Sequence, residues 1–245
     1  MILTTAIIKG GTGKSTTAAA LAQAAKSDGK KVLAIDLDPQ ANLTYFLGAD
    51  QNQTGAYDLL EGQPLPDCIQ STEQGIYVVA ASPDLATEKT APGSAKRLHN
   101  ALKDHEKSYD LIVIDTPPSL GELIYNALTA STGLVIPLET DAACLQGLYQ
   151  IADIARQIGE KNQRLKISGV IVTRYDGRPK VNRYMLDVIK QKAKENEIPF
   201  LGIIRNGIAT REAQATQESI FTYDKKSKPA QDYFEIYKLI KKIKK

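Results

Sequence analysis

Residues 6–16 read AIIKGGTGKST, and this stretch decides the fold of the chain. An apolar run precedes it and an alanine-rich helical pattern follows it, which is the setting of a phosphate-binding loop between a strand and a helix. The standard pattern of such a loop is G-x-x-x-x-G-K-[ST]. Counting back from the GKS tripeptide at 13–15, the position of the first glycine in this pattern is occupied by Ile8. A second lysine, Lys9, follows it. The sequence therefore predicts a nucleotide-phosphate site with an additional lysine at its entrance.

The residues of this loop have separate predicted tasks. Glycines let backbone N–H groups turn toward phosphate, and the N-terminus of the following helix attracts negative charge. We expect Lys14 to contact the β- and γ-phosphates, Ser15 to ligate Mg²⁺ and Thr16 to bond the α-phosphate. The predicted nucleotide-binding residues of the loop are Lys9, Gly10, Gly11, Thr12, Gly13, Lys14, Ser15 and Thr16.

Two apolar runs elsewhere in the chain end in aspartate. KVLAIDLD at 31–38 ends with Asp36 and Asp38, and LIVIDTPP at 111–118 contains Asp115. A buried strand that ends in a carboxylate is the Walker B pattern, in which the carboxylate binds the Mg²⁺ shell. Ligands of open α/β sheets lie outside the carboxyl ends of the strands, so we expect these aspartates to meet the phosphate loop.

Short β-rich runs alternate with helical patterns along the chain. The runs are mostly continuous rather than alternating in polarity, as in strands buried on both faces. They lie at 3–8, 31–35, 76–80, 111–114, 134–138, 167–172 and 200–204, and the helical patterns at 15–26, 95–105, 122–130, 145–158 and 181–196. This order predicts an α/β fold with a mainly parallel, twisted sheet and helices on both faces. We expect one nucleotide-binding P-loop domain over 1–245, an irregular excursion at 48–75, and no N-terminal helix-turn-helix domain.

Composition excludes several classes of protein. Hydrophobic residues make up 42% of the chain and charged residues 24%, which is typical of a soluble globular protein. The chain has no apolar run of about 18 residues, the length that predicts a transmembrane helix. Cys68 and Cys144 are too few for a disulfide framework or a cysteine metal site, so we expect a cytoplasmic protein.

The charge is unevenly distributed. The net charge of the chain is +3, but residues 174–194 carry seven basic and two acidic side chains, and residues 205–245 carry ten and five. Each segment therefore has a net charge of +5, which indicates a polyanionic partner or a solvated lysine face. In the tail, Tyr233, Ile236, Tyr237, Ile240 and Ile243 recur at helical spacing between lysines. Such a basic amphipathic helix either caps the fold or lies on a membrane surface.

KGGTGKST, AIDLDPQANLT and VIDTPPSLG together resemble the motifs of the ParA/MinD family of deviant Walker ATPases. The resemblance continues more loosely at VIPLETDAACLQGL, GVIVTRYDGR and GIIRNGIATREA, so it covers nearly the whole chain. It implies a P-loop NTPase fold of the deviant Walker A type, with ATP and Mg²⁺ as nucleotide and metal. It also implies slow, partner-stimulated hydrolysis of ATP and a homodimer when ATP is bound.

The resemblance assigns roles to particular residues. It implies that Lys9 reaches across the dimer to the phosphates of the partner subunit, as an arginine finger does. It makes Lys9, Lys14 and Asp38 the catalytic residues, with Asp38 orienting the attacking water. The implied Mg²⁺ residues are Ser15, Asp36 and Asp115. The implied switch segments lie at 39–44 and 116–121, and the implied base contacts are Arg174, Arg205 and Asn206.

Among members of this family, the basic C-terminal half favours a DNA-partitioning ATPase. Such a protein binds nonspecific double-stranded DNA as an ATP dimer on the nucleoid, and a ParB-like centromere-binding adaptor triggers its release. Contacts to phosphate need basic side chains and no base readout. The predicted DNA-binding residues are Arg178, Lys180, Arg183, Arg211, Lys225, Lys226 and Lys228.

Three other readings stay open. A MinD-like membrane-associated ATPase would use the basic tail for lipid binding. Reductase components, iron–sulfur carriers and bacterial tyrosine kinases share the scaffold, but this chain lacks the cysteine motifs and the terminal tyrosine cluster that they need. A nucleotide-dependent scaffold with negligible turnover is the last reading, because the presence of Asp38 does not establish a rate.

Overall fold

The structure is a computed structural model that describes residues 1–87 and 93–243, without the side chain of Ile243. In this part of the chain eight strands join one sheet, in the order β3-β4-β2-β5-β1-β6-β7-β8. The strands are β1 Ile2–Thr5, β2 Val32–Asp36, β3 Gln70–Ser71, β4 Tyr77–Val79, β5 Leu111–Asp115, β6 Gly133–Leu138, β7 Lys166–Tyr175 and β8 Phe200–Arg205. All neighbouring pairs are parallel except β3 with β4. The predicted α/β fold class is confirmed.

Ten α-helices connect or flank these strands within the described residues. They are α1 Lys14–Ser27, α2 Asn42–Leu47, α3 Ala56–Leu60, α4 Arg97–Leu102, α5 Glu122–Ala130, α6 Ala143–Lys161, α7 Lys180–Glu195, α8 Ala209–Ala215, α9 Ile220–Tyr223 and α10 Lys228–Ile243. Short 3₁₀ turns lie at Leu65–Cys68, Pro83–Thr87, Ser94–Lys96 and Glu106–Ser108.

Helices cover both faces of the sheet because successive strand residues point to opposite sides. Leu3 packs in a cluster with α1, α2 and α10 on one face, whereas its neighbour Ile2 packs with α3, α4 and α5 on the other. Helices α6 and α7 extend this second layer over β6 and β7. Both faces of the central strands β1, β2, β5 and β6 are buried, which accounts for their continuous apolar runs in the sequence.

The strand order brings the predicted motifs together. Strand β1, which leads into the phosphate loop, lies between β5 and β6, and β2 lies beside β5. Thr5 and Asp36 are both register partners of Asp115, so the ends of β1, β2 and β5 are level. The loop and the acidic strand ends therefore share one edge of the sheet.

The predicted helix at 95–105 is wrong in its length. Only Arg97–Leu102 is α-helical, with a 3₁₀ turn before it at Ser94–Lys96. The backbone N–H of Leu98 donates to the side chain of Asn126 on α5, a tertiary contact at the helix start that local sequence does not reveal. The predicted excursion at 48–75 contains the short helix α3 and the strand β3.

Helix α10 packs its apolar face on the fold. Tyr233, Ile236, Tyr237 and Ile240 are each at most 3% exposed and lie in the same core cluster as α1. Of the apolar tail positions predicted from the sequence, the side chain of Ile243 lies outside the described residues, as do Lys244 and Lys245. Among the described residues, no helix combines the length and apolar character that a membrane crossing requires.

Candidate nucleotide and magnesium site

The phosphate loop lies between β1 and α1. Gly11 and Gly13 have φ angles of 77° and 85°, in the left-handed region that favours glycine. No side chain caps the N-terminus of α1, and its first turn contains no acidic residue. The first N–H groups of the helix are therefore available to an anion, as the phosphate-site prediction requires.

Lys14 is buried at the base of this loop. It is 6% exposed, and its Nζ donates a 3.0 Å hydrogen bond to the backbone carbonyl of Lys9. Burial lowers the pKa of Lys14, while the nearby carboxylates of Asp115 and Asp38 oppose this shift. The loop therefore holds its lysine ammonium close to two carboxylates at the position where phosphate charge would arrive.

Asp36 and Asp115 lie side by side and are fully buried. Burial raises the pKa of Asp115 to about 8, and the charge of Asp36 adds to the shift, while the Ser15 hydroxyl and Lys14 oppose it. Oδ1 of Asp115 accepts from Thr5 at 3.2 Å, but Oδ2 has no hydrogen-bond partner among the described residues. An unsatisfied buried carboxylate beside a serine hydroxyl has the oxygen donors that Mg²⁺ prefers.

Asp36 differs from Asp115 because both of its oxygens accept hydrogen bonds. Oδ2 accepts from the N–H and the hydroxyl of Thr44, each at 2.8 Å, and Oδ1 accepts from the N–H of Asp38 at 3.0 Å. Burial still raises the pKa of Asp36 to about 6. In this geometry Asp36 fixes the segment 38–44, and its predicted place in the Mg²⁺ shell stays a prediction.

Asp38 lines the cavity next to the loop. It is 6% exposed, and its Oδ1 accepts from the N–H of Gln40 at 3.1 Å. The following Ala41 has a φ of 54°, so the chain turns sharply into α2 after this carboxylate. The turn holds Asp38 at the cavity wall, where a water-orienting carboxylate is expected.

Lys9 points toward the start of α6. Its Nζ forms a 2.6 Å ion pair with Asp141 and lies 3.5 Å from Sγ of Cys144. The hydrogen bond to Asp141 raises the pKa of Lys9, so the side chain is charged at neutral pH. Both partners are partly exposed, at 24% for Lys9 and 52% for Asp141, so Lys9 can exchange this carboxylate for another anion.

The predicted base contacts lie on the far wall of the same cavity, which has a volume of about 660 Å³. Arg174, with a φ of 51°, bonds the carbonyl of Gly11 and pairs with Glu139. Arg205 is the last residue of β8 and Asn206 comes directly after it, and both line the cavity. Arg205 makes a bidentate ion pair with Asp232 of α10, with contacts of 2.7–3.2 Å, so α10 fixes this wall.

Thr12 is a predicted loop residue that does not line the cavity. It is fully buried, its Oγ1 has no hydrogen-bond partner in the described part of the chain, and its carbonyl accepts from Thr173 at 2.8 Å. Any contact of Thr12 with a nucleotide would therefore come from its backbone. Lys9 does not line the cavity either, because it pairs with Asp141, whereas the predicted loop residues Gly10, Gly11, Gly13, Lys14, Ser15 and Thr16 do.

Several cavity residues were missed by sequence analysis. They come from α2 and from the C-terminal third of the chain: Phe46, Thr173, Ile204, Gly207, Thr210, Gln214 and Tyr233, whereas the lining residues Gln40, Asn42 and Pro118 lie in the predicted switch segments. Gln214 donates to the hydroxyl of Thr16 at 3.0 Å across 198 residues of sequence. The hydroxyls of Tyr233 and Thr17 lie 3.3 Å apart, although the two residues are separated by 216 positions in the sequence. No local motif marks such partners, so only the folded chain reveals them.

The residues predicted to contact DNA differ in their exposure and in their contacts. Arg178, Lys180, Arg183, Lys225, Lys226 and Lys228 are exposed. The Arg178 guanidinium pairs with Asp176 and lowers the pKa of that carboxyl to about 2. Arg183 donates to the carbonyls of Gly177 and Arg178, which places it at the α7 start. Arg211 lies on α8, where it lines the nucleotide cavity.

Comparison with known proteins agrees with this geometry. Residues 1–167 match the family described as an AAA domain. The chain is 41% identical over 173 residues to the chromosome-partitioning ATPase Soj of Thermus thermophilus, covering 69% of this chain and 68% of that protein. It is 34% identical to the sporulation initiation inhibitor protein Soj of Bacillus subtilis, covering 94% of each chain.

Solved structures show the same fold with nucleotides bound. A putative plasmid partition protein of Borrelia burgdorferi, bound to AMPPNP, superposes with a TM-score of 0.82 and 28% identity, covering 99% of this chain and 98% of that one. The septum site-determining protein MinD of Pyrococcus horikoshii, in complex with Mg-ADP, gives a TM-score of 0.81 and 26% identity, covering 99% and 96%.

These findings confirm ATP and Mg²⁺ as the nucleotide and the metal of the site. The enzyme is an ATPase, as the phosphate loop, the buried carboxylates and the relatives all indicate. The chain belongs to the ParA/MinD family of P-loop ATPases.

Proposed function

We propose that this protein is a DNA-partitioning ATPase that segregates plasmids or chromosomes. MgATP closes a two-fold homodimer, the dimer binds nonspecific double-stranded DNA, and a ParB-like centromere-binding adaptor stimulates hydrolysis and release. Support comes from the relatives named for chromosome partitioning and from the basic C-terminal half of the chain. In the cell the protein then resides in the cytoplasm, associated with the nucleoid.

One observation carries this proposal over the MinD-like membrane alternative. The apolar face of α10 is already buried against α1 and β8, with Leu239, 42% exposed, as its one exposed large apolar side chain among the described residues. A membrane-surface helix needs a free apolar face, and this one has none to offer without leaving the core. The exposed lysines and arginines of 178–183 and 225–228 suit the phosphates of DNA instead.

The proposed roles at the site follow its geometry. Backbone N–H groups of the loop and Lys14 bind the phosphates, and Thr16 bonds the α-phosphate. Ser15 and Asp115 would hold Mg²⁺, with Asp36 as a further carboxylate near it. When bound, the metal would supply positive charge that neutralises the phosphates. Asp38 orients the water that attacks the γ-phosphate, and Arg174, Arg205 and Asn206 enclose the base.

Lys9 is the proposed link between nucleotide and dimer. In the single chain it pairs with Asp141, on the exposed rim of the site. When two subunits meet face to face, Lys9 exchanges this carboxylate for the phosphates bound by the partner subunit. Because only ATP offers a γ-phosphate, its hydrolysis removes this contact and the dimer dissociates.

Dimerisation would act as an affinity switch for DNA. The proposed phosphate contacts are Arg178, Lys180, Arg183, Lys225, Lys226 and Lys228, with Arg211 as a further predicted one. Two subunits double the number of contacts, and nonspecific affinity depends steeply on that number and on salt. We also propose that residues 1–245 form one domain, since all described strands lie in a single sheet and α10 packs back on α1.

The test measures binding of Asp38→Ala protein, which retains ATP, to a random-sequence DNA duplex and to anionic lipid vesicles. Each surface is assayed without nucleotide, with MgADP and with MgATP. We expect DNA binding only with MgATP, falling with salt, and no vesicle binding. Vesicle binding without DNA binding would support the membrane alternative. If the ATP dimer forms but binds neither surface, the proposed DNA switch is rejected. The partner of the dimer would then be another protein.

A further inference from the structure

Helix α8 forms a wall of the nucleotide cavity that the sequence did not indicate. Thr210, Arg211 and Gln214 line the cavity, whereas Ala209 and Ala213 are buried on the opposite side of the helix. Residues three and four apart share a helix face, so the three cavity residues form one continuous surface. Arg211, which belongs to the basic C-terminal half of the chain, is therefore directed into the nucleotide cavity.

The contact between α8 and the phosphate loop is specific. Nε2 of Gln214 donates a 3.0 Å hydrogen bond to the hydroxyl oxygen of Thr16, in the first turn of α1. Because the oxygen accepts from Gln214, the hydroxyl proton of Thr16 is directed elsewhere and can be donated to a phosphate. Gln214 thereby orients a group that is expected to face the α-phosphate.

The arginines of the cavity differ in their partners. Arg174 pairs with Glu139, and Arg205 pairs with Asp232. Arg211 is exposed, and within the described residues its guanidinium has no hydrogen-bond or ion-pair partner. Two of the three arginines of the cavity are thus neutralised by the protein, and the third is left for an anionic ligand of the same cavity.

Helix α8 is held at its C-terminal end. Tyr45 of α2 bonds the carbonyl of Ala215 at 3.4 Å, and Gln74 bonds the carbonyl of Gln217 at 2.7 Å. These contacts tie α8 to α2, which follows the Asp38 turn, and to the loop before β4. The helix can therefore present Arg211 in a fixed place, as a binding residue requires.

We propose that Arg211 and Gln214 belong to the nucleotide site: Arg211 binds the phosphates that ADP and ATP share, and Gln214 positions the Thr16 hydroxyl. This inference rests on the proposed ATP site and extends it to α8. It replaces DNA with the nucleotide as the ligand of Arg211. The two ligands are separable because nucleotide binding can be measured without DNA.

The experiment measures affinities of the full chain for MgADP and MgATP by fluorescence titration without DNA, in the Asp38→Ala background. Arg211→Ala should weaken both about tenfold, the worth of one charged hydrogen-bonding contact. The matched control is Arg156→Ala on α6, an exposed arginine outside the site, which should leave both unchanged. Thermal unfolding of each variant verifies that it folds.

DNA binding is then measured at saturating MgATP. Arg211→Ala should keep its DNA affinity within about twofold, since one lost contact to nucleotide is compensated by excess ligand. Unchanged nucleotide affinity with weakened DNA binding would overturn the assignment, and a loss confined to ATP would overturn the choice of the shared phosphates. If the parent protein fails to bind DNA at all, the proposed function fails while the nucleotide result for Arg211 still stands.

Gln214 is tested through its coupling to Thr16. Gln214→Met keeps the length of the side chain and removes the amide, so MgADP affinity should fall about threefold to fivefold, as for one neutral hydrogen bond. In the Thr16→Val background the same substitution should cost nothing further, because the oxygen that Gln214 orients is gone. Equal losses in both backgrounds would show a merely structural role for Gln214 and contradict the proposal.

Discussion

The two walls of the nucleotide cavity differ in how their charges are satisfied. On the loop wall, Asp36 and Asp115 are buried side by side, and Oδ2 of Asp115 has no hydrogen-bond partner among the described residues. On the far wall, Arg174 and Arg205 are neutralised by Glu139 and Asp232. The loop wall depends on a ligand to balance its charges, whereas most of the far wall is balanced by the protein itself.

This difference separates chemistry from positioning. Buried charge without a partner costs free energy, and a bound cation and phosphate recover that cost, so the loop wall responds strongly to the ligand. Preformed ion pairs on the far wall respond little and hold the shape of the cavity. The comparison predicts large ligand-dependent effects from mutations in the loop wall and smaller, ligand-independent effects from mutations in the far wall.

The largest effect is expected at Lys14. Lys14→Ala removes the buried cation that faces the phosphates and leaves Asp115 and Asp38 without a neighbouring positive charge. We expect MgADP and MgATP affinity to fall by about 100-fold or more, measured by isothermal titration calorimetry. Retention of affinity within about threefold would contradict the phosphate role of the loop.

The Asp115→Asn substitution sharpens the comparison because its effect on stability should change sign when the ligand binds. Without ligand, above the raised pKa of Asp115 of about 8, the loss of its buried charge should stabilise the protein by about 1 kcal/mol, or about 2–4 °C in Tm. With ADP, the additional stabilisation that Mg²⁺ gives the parent protein should disappear, and removal of Mg²⁺ by EDTA should have no further effect. Thermal unfolding with and without Mg²⁺ checks both, with the exposed Asp104→Asn as control.

The corresponding change on the far wall is Asp232→Asn. Arg205 loses its bidentate partner, so we expect a loss of stability of about 1–2 kcal/mol that is the same with and without nucleotide. Chemical denaturation in both states measures it. If stability is lost only when ATP is bound, this ion pair contributes to nucleotide binding rather than to the folded shape of the cavity.

The smallest effect is expected at Asp141. The ion pair between Lys9 and Asp141 is partly exposed, and such pairs contribute about 1 kcal/mol or less. Asp141→Asn should therefore strengthen the ATP-dependent dimer by at most about fivefold, because Lys9 no longer has to leave a carboxylate. Sedimentation velocity with Asp38→Ala protein and MgATP measures this gain in dimer affinity. A weakened dimer would show that Asp141 and the phosphates of the partner subunit do not compete for Lys9.

The loop wall could be predicted from sequence because each of its parts is a local pattern. A strand that ends in Asp36 or Asp115, and a glycine-rich turn before Lys14, can each be recognised within ten residues. The rule that parallel strands present their carboxyl ends at one edge then brings them together. The structure adds that Asp36 is engaged by Thr44 and Asp38, which no spacing rule contains.

The far wall could not be predicted in the same way. Its contacts join Arg205 to Asp232 on another element, and Thr16 to Gln214 across most of the chain. Helix α8 is short and carries alanine, threonine and glutamine, so no apolar periodicity marks it. Arg211 was predicted as a DNA contact from its charge and from its resemblance, in RNGIATREA, to an arginine that related partition proteins use for DNA. Charge does not distinguish a nucleotide from DNA as the polyanion.

The central claim is that Lys9 couples ATP to dimerisation and thereby to DNA. The most direct measurement compares Asp38→Ala with the Lys9→Ala/Asp38→Ala double variant, by sedimentation with MgATP and by DNA-binding anisotropy on the same samples. We predict that the double variant binds MgATP but stays monomeric and loses DNA binding. If it still forms the ATP dimer and binds DNA like the single variant, Lys9 is not the link, and the switch must lie elsewhere.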